Sequence, residues 1–286
     1  MFHPMMLFCY FLLVFIILFT TMNPVLLVIF YISSLILFSL LHTFQKLMYE
    51  LMFYFFVWLL VALSIPLFHH NGVTILFFLN DNPMTAESFV LGIAVGVLVV
   101  SFSFWCKNYG VYITTDKILY LFGVIHPQLA IWLALLLRFI PQCKRNFQDI
   151  HGAQKTVGFY ATNSLFDRAI GAVKIGKVAL VLAMEQTFSQ VDSMKAKGYG
   201  LQKRSHFSLY RFYKWDRLLA IWLIVVISLF IMSFYELNYY YEPTLKAISF
   251  TYKTSLLYGV LLSIALLPVV IEIKELVVWK YLKSKM

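Results

Sequence analysis

"SFVLGIAVGVLVVSFSFW", residues 88–105, runs through 18 consecutive positions without a charged side chain. An α-helix needs about 20 such residues to cross the hydrocarbon core of a bilayer. Comparable apolar segments recur along the 286-residue chain, which is 62% hydrophobic and only 13% charged. A soluble domain carries about 25% charged residues. We therefore predict an all-α, polytopic membrane protein.

Six segments have the length and composition of transmembrane helices. They lie at about residues 5–22, 25–41, 47–67, 88–105, 217–235 and 254–271. The apolar stretch 126–143 would make a seventh, but Arg138 and Pro141 interrupt it. An amphipathic helix on the inner membrane face, or packed on other helices, is the alternative for this stretch. Residues 68–88 contain no Lys or Arg and predict an external hairpin or re-entrant loop.

The net charge of +10 is concentrated in one part of the chain. Residues 138–217 hold most of the lysines and arginines, and positive-inside bias places such a block in the cytoplasm. Both termini are then cytoplasmic. Because the block is tethered between membrane spans, nucleic-acid binding is disfavoured. We predict transmembrane helices in residues 1–110 and 215–286, with cytoplasmic coupling helices in 111–214.

No pattern in the sequence indicates catalysis. "GAVKIGKV" (171–178) has the spacing of a phosphate-binding loop, but Val178 stands where Ser or Thr would hold magnesium, and the segment continues a helical pattern. The histidines and cysteines show no metal-ligand spacing. We therefore predict no catalytic, metal-binding or cofactor-binding residues, and the chain is not expected to bind ATP itself.

Two long helical patterns end in similar short sequences, "AQKTVG" (153–158) and "SMKAKGYG" (193–200). Gly198 can adopt the left-handed conformation that ends a helix, and Lys195 and Lys197 suit the negative end of the helix dipole. A simple helix stop explains these residue types. Their repetition favours two cytoplasmic projections.

Several polar residues within the same segments are predicted to make structural contacts. Arg138 either reaches the membrane interface, pairs with Asp149 or Glu185, or contacts a partner. Glu185, Ser189 and Asp192 share one helix face. We favour a packed polar contact with a neighbouring helix over a solvated surface for that face.

Four blocks of the sequence, in order, resemble those of the transmembrane (T) component of energy-coupling factor transporters, the family that includes the cobalt-transport Q protein. The blocks are "GVTILFFLNDNPMTAES", "TTDKILYLFG", "LLLRFIPQCKRNFQDIHGAQKTVG" and "AMEQTFSQVDSMKAKGYGLQKR", and they cover roughly residues 69–216. The spans on either side agree only in hydrophobic character.

In that family each of two cytoplasmic helices ends in Ala-Arg-Gly, and these tips dock into two ATPase subunits. The resemblance places the tips at Thr156-Val157-Gly158 and Ala196-Lys197-Gly198. Lys197 keeps the positive charge of the family's arginine but lacks the planar guanidinium group, which can donate two parallel hydrogen bonds. Val157 loses that charge, for which Lys155 is the candidate replacement. The implied ATPase-coupling residues are Lys155, Thr156, Val157, Gly158, Lys195, Ala196, Lys197 and Gly198, supported by Arg138, Pro141, Glu185 and Asp192.

The resemblance implies a non-catalytic subunit of an ATP-driven importer in the plasma membrane of a bacterium. Its partners would be two ATPase subunits, which bind the ATP, and a small membrane substrate-binding (S) component. Vitamins and transition-metal ions both remain open as substrates. The alternatives are a stand-alone secondary transporter or channel, a membrane enzyme, and a membrane scaffold. A stand-alone transporter needs acids or paired polar groups in its spans, and we expect the spans to lack them.

Overall fold

The computed structural model describes residues 3–79, 82–156, 165–198, 210–245 and 250–285, which form helices, one short hairpin and the turns and loops that join them. This confirms the predicted all-α class. The helices are α1 (Pro4–Thr20), α2 (Pro24–Leu41), α3 (Phe44–Phe68), α4 (Ala86–Tyr112), α5 (Thr115–Ile125), α6 (Pro127–Thr156), α7 (Leu165–Ala196), α8 (Lys214–Met232), α9 (Phe234–Leu237) and α10 (Tyr252–Lys285). The strands are β1 (Ile75–Leu79) and β2 (Asn82–Thr85). The chain forms two compact units, a first unit of Met1–Thr114 with Phe212–Met286 and a second unit of Thr115–Arg211.

Five helices of the described chain are long and apolar enough to cross a membrane: α2, α3, α4, α8 and α10. They correspond to five of the six predicted spans and confirm a polytopic membrane protein. The first predicted span corresponds to α1, an apolar helix of 17 residues. The 126–143 stretch lies in α6, which is not among the five and instead packs on α5 and α7.

Side-chain caps fix where the apolar helices begin. Pro24 occupies the first position of α2, where its missing N–H would have had no helical partner. The side chain of Asn23 caps this helix by accepting the Val25 N–H at 3.0 Å. Thr85 caps α4 by accepting the Ser88 N–H at 3.3 Å. These caps place the helix starts at the turns that the sequence pattern predicts.

Helices α1, α2, α4, α8 and α10 all contribute buried side chains to the core of the first unit. Within it, polar donors on α4 bond carbonyl groups of α2. The Trp105 indole N–H donates to Phe30 O at 3.1 Å, and the Asn108 amide donates to Ser34 O at 3.1 Å. Because hydrocarbon offers no water, such donors need partners within the protein. These bonds therefore fix the register of α4 against α2.

A glycine lets α3 and α4 approach each other closely. A Cβ atom placed on Gly92 would lie 2.5 Å from the carbonyl oxygen of Ala62 on α3. No larger residue fits there unless the two backbones move apart. This contact is of the small-residue type common between membrane helices.

Contacts within the first unit bring the N-terminus, the end of α4 and the start of α8 to one end of that unit. They are His3 N–H to Asp216 Oδ1 at 2.9 Å, Tyr112 Oη to Glu272 Oε1 at 2.7 Å, and Lys274 Nζ at 5.8 Å from the centre of the Trp215 ring. The chain therefore leaves the first unit and re-enters it at the same end.

The α1–α2 turn marks the opposite end of the first unit. There the Asn23 amide donates to Leu237 O at 3.1 Å and to the Tyr258 hydroxyl at 2.9 Å. The Tyr241 hydroxyl donates to Met22 O at 2.8 Å. Burial raises the pKa of Tyr241, so this hydroxyl keeps its proton and remains a donor.

Charged residues do occur within the predicted spans, so the expectation that the spans lack acids is wrong. Glu50 lies on α3, inside the predicted 47–67 span, and forms an ion pair with Lys107 of α4. The Lys107 Nζ also lies 4.8 Å from the centre of the Tyr54 ring. The two opposite charges neutralise each other, which makes both tolerable in a membrane-spanning pair of helices.

The segment between α3 and α4 is an antiparallel hairpin, which confirms the hairpin alternative. Phe77 faces Met84, Phe78 faces Pro83, and Leu79 faces Asn82 across the two strands. The ladder is irregular between Ile75 and Phe77.

Candidate functional site

The second unit carries both predicted tips, and a stripe of small and branched side chains lies along its longest helix. Ile175, Ala179 and Ala183 on α7 are at most 3% exposed and recur at every fourth position. Residues at this spacing share one helix face. Because two of the three are alanines, α6 can pack closely against this face of α7.

Amide side chains extend the packed face towards the tip. The Gln142 amide on α6 donates to the Gln186 side-chain oxygen on α7 at 2.7 Å. Asn146, one turn further along α6 and 6% exposed, donates to the same oxygen at 3.2 Å. One acceptor on α7 therefore holds two donors on α6.

The predicted packed contact through Glu185, Ser189 and Asp192 is wrong, because all three residues are exposed. Each residue of a helix turns by about 100°. Position 185 is therefore rotated by roughly half a turn from the buried Ala183, whereas position 186 returns to its face. Asp192 instead lies 3.9 Å from Lys195, and both side chains are more than 70% exposed.

Sequence reasoning missed Gln142, Asn146 and Gln186, although a signal was present. The spacing of Ile175, Ala179 and Ala183 continues to positions 186 and 187 on the same face. This extension of the buried face predicts that Gln186, and not its neighbour Glu185, contacts α6.

Arg138 and Pro141 both lie on the exposed surface of α6, which continues through Pro141 without a break. The helix itself thus accommodates both residues, while α6 is not among the described helices that are long and apolar enough to span a membrane. Among the described residues, no carboxylate lies within ion-pair distance of Arg138, so the pairing with Asp149 or Glu185 is wrong. Reach to the membrane interface and contact with a partner remain the two roles for Arg138.

The second tip ends α7 as the sequence predicts. Gly198 has φ 77°, in the left-handed region that favours glycine. Its N–H donates to Lys195 O at 2.9 Å, and the Lys197 N–H donates to Ser193 O at 3.1 Å. These bonds satisfy carbonyl groups that the helix end leaves open. Lys195, Ala196 and Lys197 are all exposed.

Of the first tip, Thr156-Val157-Gly158, only Thr156 lies within the described residues. α6 ends at Thr156, whose hydroxyl donates back to Ala153 O at 2.7 Å. Lys155 and Thr156 are exposed. Val157 and Gly158 lie outside the described residues.

Exposed lysines give the second unit its positive surface. They include Lys144, Lys155, Lys174, Lys177, Lys195 and Lys197. Lys117 on α5 differs, because it is half-buried and burial lowers the pKa of its ammonium group. Within the described parts of the chain, no group of three or more His, Cys, Asp and Glu side chains is placed to hold a metal ion.

A family model described as cobalt transport protein matches residues 4–208, which include α1 to α7 and both tips. The chain belongs to the CbiQ family of cobalt transport proteins. This is the family of the T components of energy-coupling factor transporters, so the resemblance seen in the sequence is confirmed. A search of curated proteins gave no match. Membership makes this CbiQ-family chain a membrane-embedded component of a transporter.

Proposed function

We propose that this CbiQ-family chain is the T subunit of an energy-coupling factor importer in the plasma membrane. It would couple ATP hydrolysis by two ATPase subunits to substrate uptake through a separate membrane S component. In this role the chain is not an enzyme, and the partner subunits bind the ATP.

The observation that carries the proposal is the tip of α7. Gly198 ends the helix sharply, and the residues just before it are exposed and include two lysines. A short basic projection of this kind fits a groove lined with acidic side chains. Complementary charge favours such docking by speeding encounter and fixing orientation.

The contact between α6 and α7 would allow a displacement of the tip to be transmitted through both helices. α7 has 32 residues, so it is about 48 Å long at 1.5 Å per residue. The bonds from Gln142 and Asn146 to Gln186 tie α6 to this helix. A displacement of one tip by ATPase closure would therefore shift both helices together.

Exposed apolar side chains on α6 and α7 favour further contacts with protein or lipid. Trp132 and Ile140 on α6 are 68% and 65% exposed, and Val173 and Phe188 on α7 are 73% and 64% exposed. Exposed apolar side chains mark interaction sites where they form a contiguous surface. We assign these side chains to contact with the S component and the membrane.

Co-purification from mild detergent tests the proposal. The tagged chain, co-expressed with its ATPase subunits and S component, is expected to retain all partners. Lys197→Glu should release the ATPase subunits, because it sets a negative charge against their acids. Lys177→Glu is the matched control: it lies on the exposed surface of the same helix, about 30 Å from the tip.

Orientation is tested separately with a cysteine at the second tip. In a cysteine-free background, Lys197→Cys should react with a membrane-impermeant maleimide in inside-out vesicles and not in right-side-out vesicles. Transport by the purified chain alone in liposomes, or equal loss of ATPase subunits in both glutamate variants, would contradict the proposal.

A further inference from the structure

The hairpin between α3 and α4 has one face that is partly packed and one face that is open. Residues paired directly across antiparallel strands share a face. Phe77 pairs with Met84, which is 3% exposed, and the Phe77 ring lies 6.3 Å from that of Phe89 on α4. Phe78 pairs with Pro83 on the other face and is 66% exposed. Phe77 itself is 47% exposed. One face is therefore packed in part, through Met84, and the other is uncovered.

Polar contacts hold the hairpin to the first turn of α4. The Thr74 hydroxyl donates to Glu87 Oε2 at 2.8 Å. The Thr85 and Ser88 hydroxyls each donate to Asn71 O at 3.2 Å. The uncovered face is thus presented in a fixed position relative to α4.

The position of the hairpin along the chain places it at a boundary of the membrane. It connects the last residue of α3, Phe68, to the first residue of α4, Ala86, and both helices are long and apolar enough to span a bilayer. Phe68 is itself 85% exposed. The uncovered face of the hairpin therefore continues the apolar surface at the ends of two membrane helices.

The composition of the hairpin suits an apolar environment such as the edge of the acyl-chain region. Residues 71–79, "NGVTILFFL", contain no charged side chain. Polar residues lie at both ends, at 69–71 and at 80–82. An apolar middle between polar ends suits a ribbon that lies along the membrane surface.

Backbone hydrogen bonding limits how deep the hairpin can go. A two-stranded ribbon leaves unpaired N–H and C=O groups along its outer edges, and these are not tolerated in hydrocarbon. At the interface, water and headgroups can satisfy them. The side chains of an interfacial element reach about 5–10 Å into the headgroup and acyl boundary.

We propose that the β1–β2 hairpin is a membrane-interface anchor, and that Leu76 and Phe78 insert into the lipid leaflet beside the α3–α4 connection. Leu76 lies at the irregularity of the ladder between Ile75 and Phe77 and is 60% exposed. The anchor would fix the height at which α3 and α4 sit in the bilayer. The partner surface is the acyl-chain boundary of the lipid itself.

Depth-dependent fluorescence quenching tests the anchor. Phe78→Cys, in a chain whose Cys9, Cys106 and Cys143 are replaced by alanine, is labelled with an environment-sensitive dye and reconstituted in phosphatidylcholine–phosphatidylglycerol vesicles. Lipids that carry a nitroxide near the headgroup should quench the dye strongly, and aqueous iodide should quench it weakly. Leu76→Cys should give the same result and serves if Phe78→Cys does not fold.

Two matched positions calibrate the measurement. Leu60→Cys on α3, where the side chain is 68% exposed, should respond best to a nitroxide placed deep in the acyl chains. Lys195→Cys should respond to iodide alone. Strong iodide quenching at Phe78→Cys would overturn the anchor and place the hairpin in water. The absence of both kinds of quenching would overturn it too, because the face would then be covered by protein.

Discussion

The amide of Gln142 on α6 donates a hydrogen bond of 2.7 Å to the side-chain oxygen of Gln186 on α7. The same oxygen accepts from Asn146 at 3.2 Å. All three side chains are buried or half-buried. Removal of this one acceptor would leave two amide donors without a partner, which costs more than the net strength of a hydrogen bond.

Gln186→Leu is therefore expected to loosen the contact between α6 and α7. Gln142 is half-buried and can bond to water, so the two donors together are expected to cost about 1–2 kcal/mol, the lower part of the range for a buried unpaired donor. A loss of 1–2 kcal/mol raises the population of the locally opened state by about 5- to 30-fold. Cys143, half-buried and next to Gln142, reports this opening through its rate of reaction with a maleimide when Cys9 and Cys106 are replaced by alanine.

Glu185→Leu is the matched control for that experiment, because it introduces the same leucine side chain at the neighbouring position, which is exposed. Its labelling rate should equal that of the parent chain. An equal acceleration in both variants would show that the two amide donors on α6 do not depend on Gln186.

The sequence predicts the individual helices better than it predicts the contacts between them. The apolar segments predict the membrane helices because length and hydrophobicity alone decide whether a helix can span a bilayer. Gly198 predicts the end of α7 because few other residues adopt its left-handed conformation. A contact between helices can be predicted only if the rotation of each helix about its axis is known. An error of one position in that rotation is why the sequence analysis selected Glu185 for the packed face instead of Gln186. Glu50 and Lys107 are 57 positions apart and meet only when α3 packs on α4.

The end of α7 should depend on the backbone conformation of Gly198. Alanine in the left-handed region costs about 1–2 kcal/mol. Gly198→Ala should therefore speed hydrogen exchange in the last turn of α7, as measured by mass spectrometry. Gly198→Asn should be closer to the parent, since asparagine tolerates this conformation better.

Gly176→Ala supplies the control on the same helix. A Cβ atom at Gly176 meets no other atom within 4 Å, and alanine is the better helix former. This variant should leave exchange at the tip unchanged. Equal exchange in the alanine and asparagine variants of Gly198 would contradict a role for its conformation.

Under the proposed function, the two tips should contribute unequally to ATPase binding. Only the second tip has a basic residue, Lys197, at the position of the family's arginine, whereas the first has Val157 there. Lys197→Glu should therefore reduce the amount of co-purified ATPase more than Lys155→Glu does. Quantitative pull-down at several salt concentrations measures the difference, because a charge-dependent contact weakens with salt. Equal losses would show that Lys155 replaces the missing charge.

The ion pair between Glu50 and Lys107 should stabilise the contact between α3 and α4. Their side chains are 15% and 32% exposed, so solvent screens the pair only in part. Glu50→Gln or Lys107→Met alone leaves one charge without its partner, which is costly inside a membrane. The double variant removes both charges and should recover part of the loss, with a coupling of about 0.5–3 kcal/mol.

A double-mutant cycle on unfolding in mixed detergent micelles measures that coupling. The exposed pair Asp192 and Lys195, 3.9 Å apart, provides the control cycle through Asp192→Asn and Lys195→Met. Solvent-exposed pairs contribute little, so the coupling in the control should be close to zero. If the cycle for Glu50 and Lys107 is equally flat, water reaches both charges, and their pairing does not hold α3 against α4.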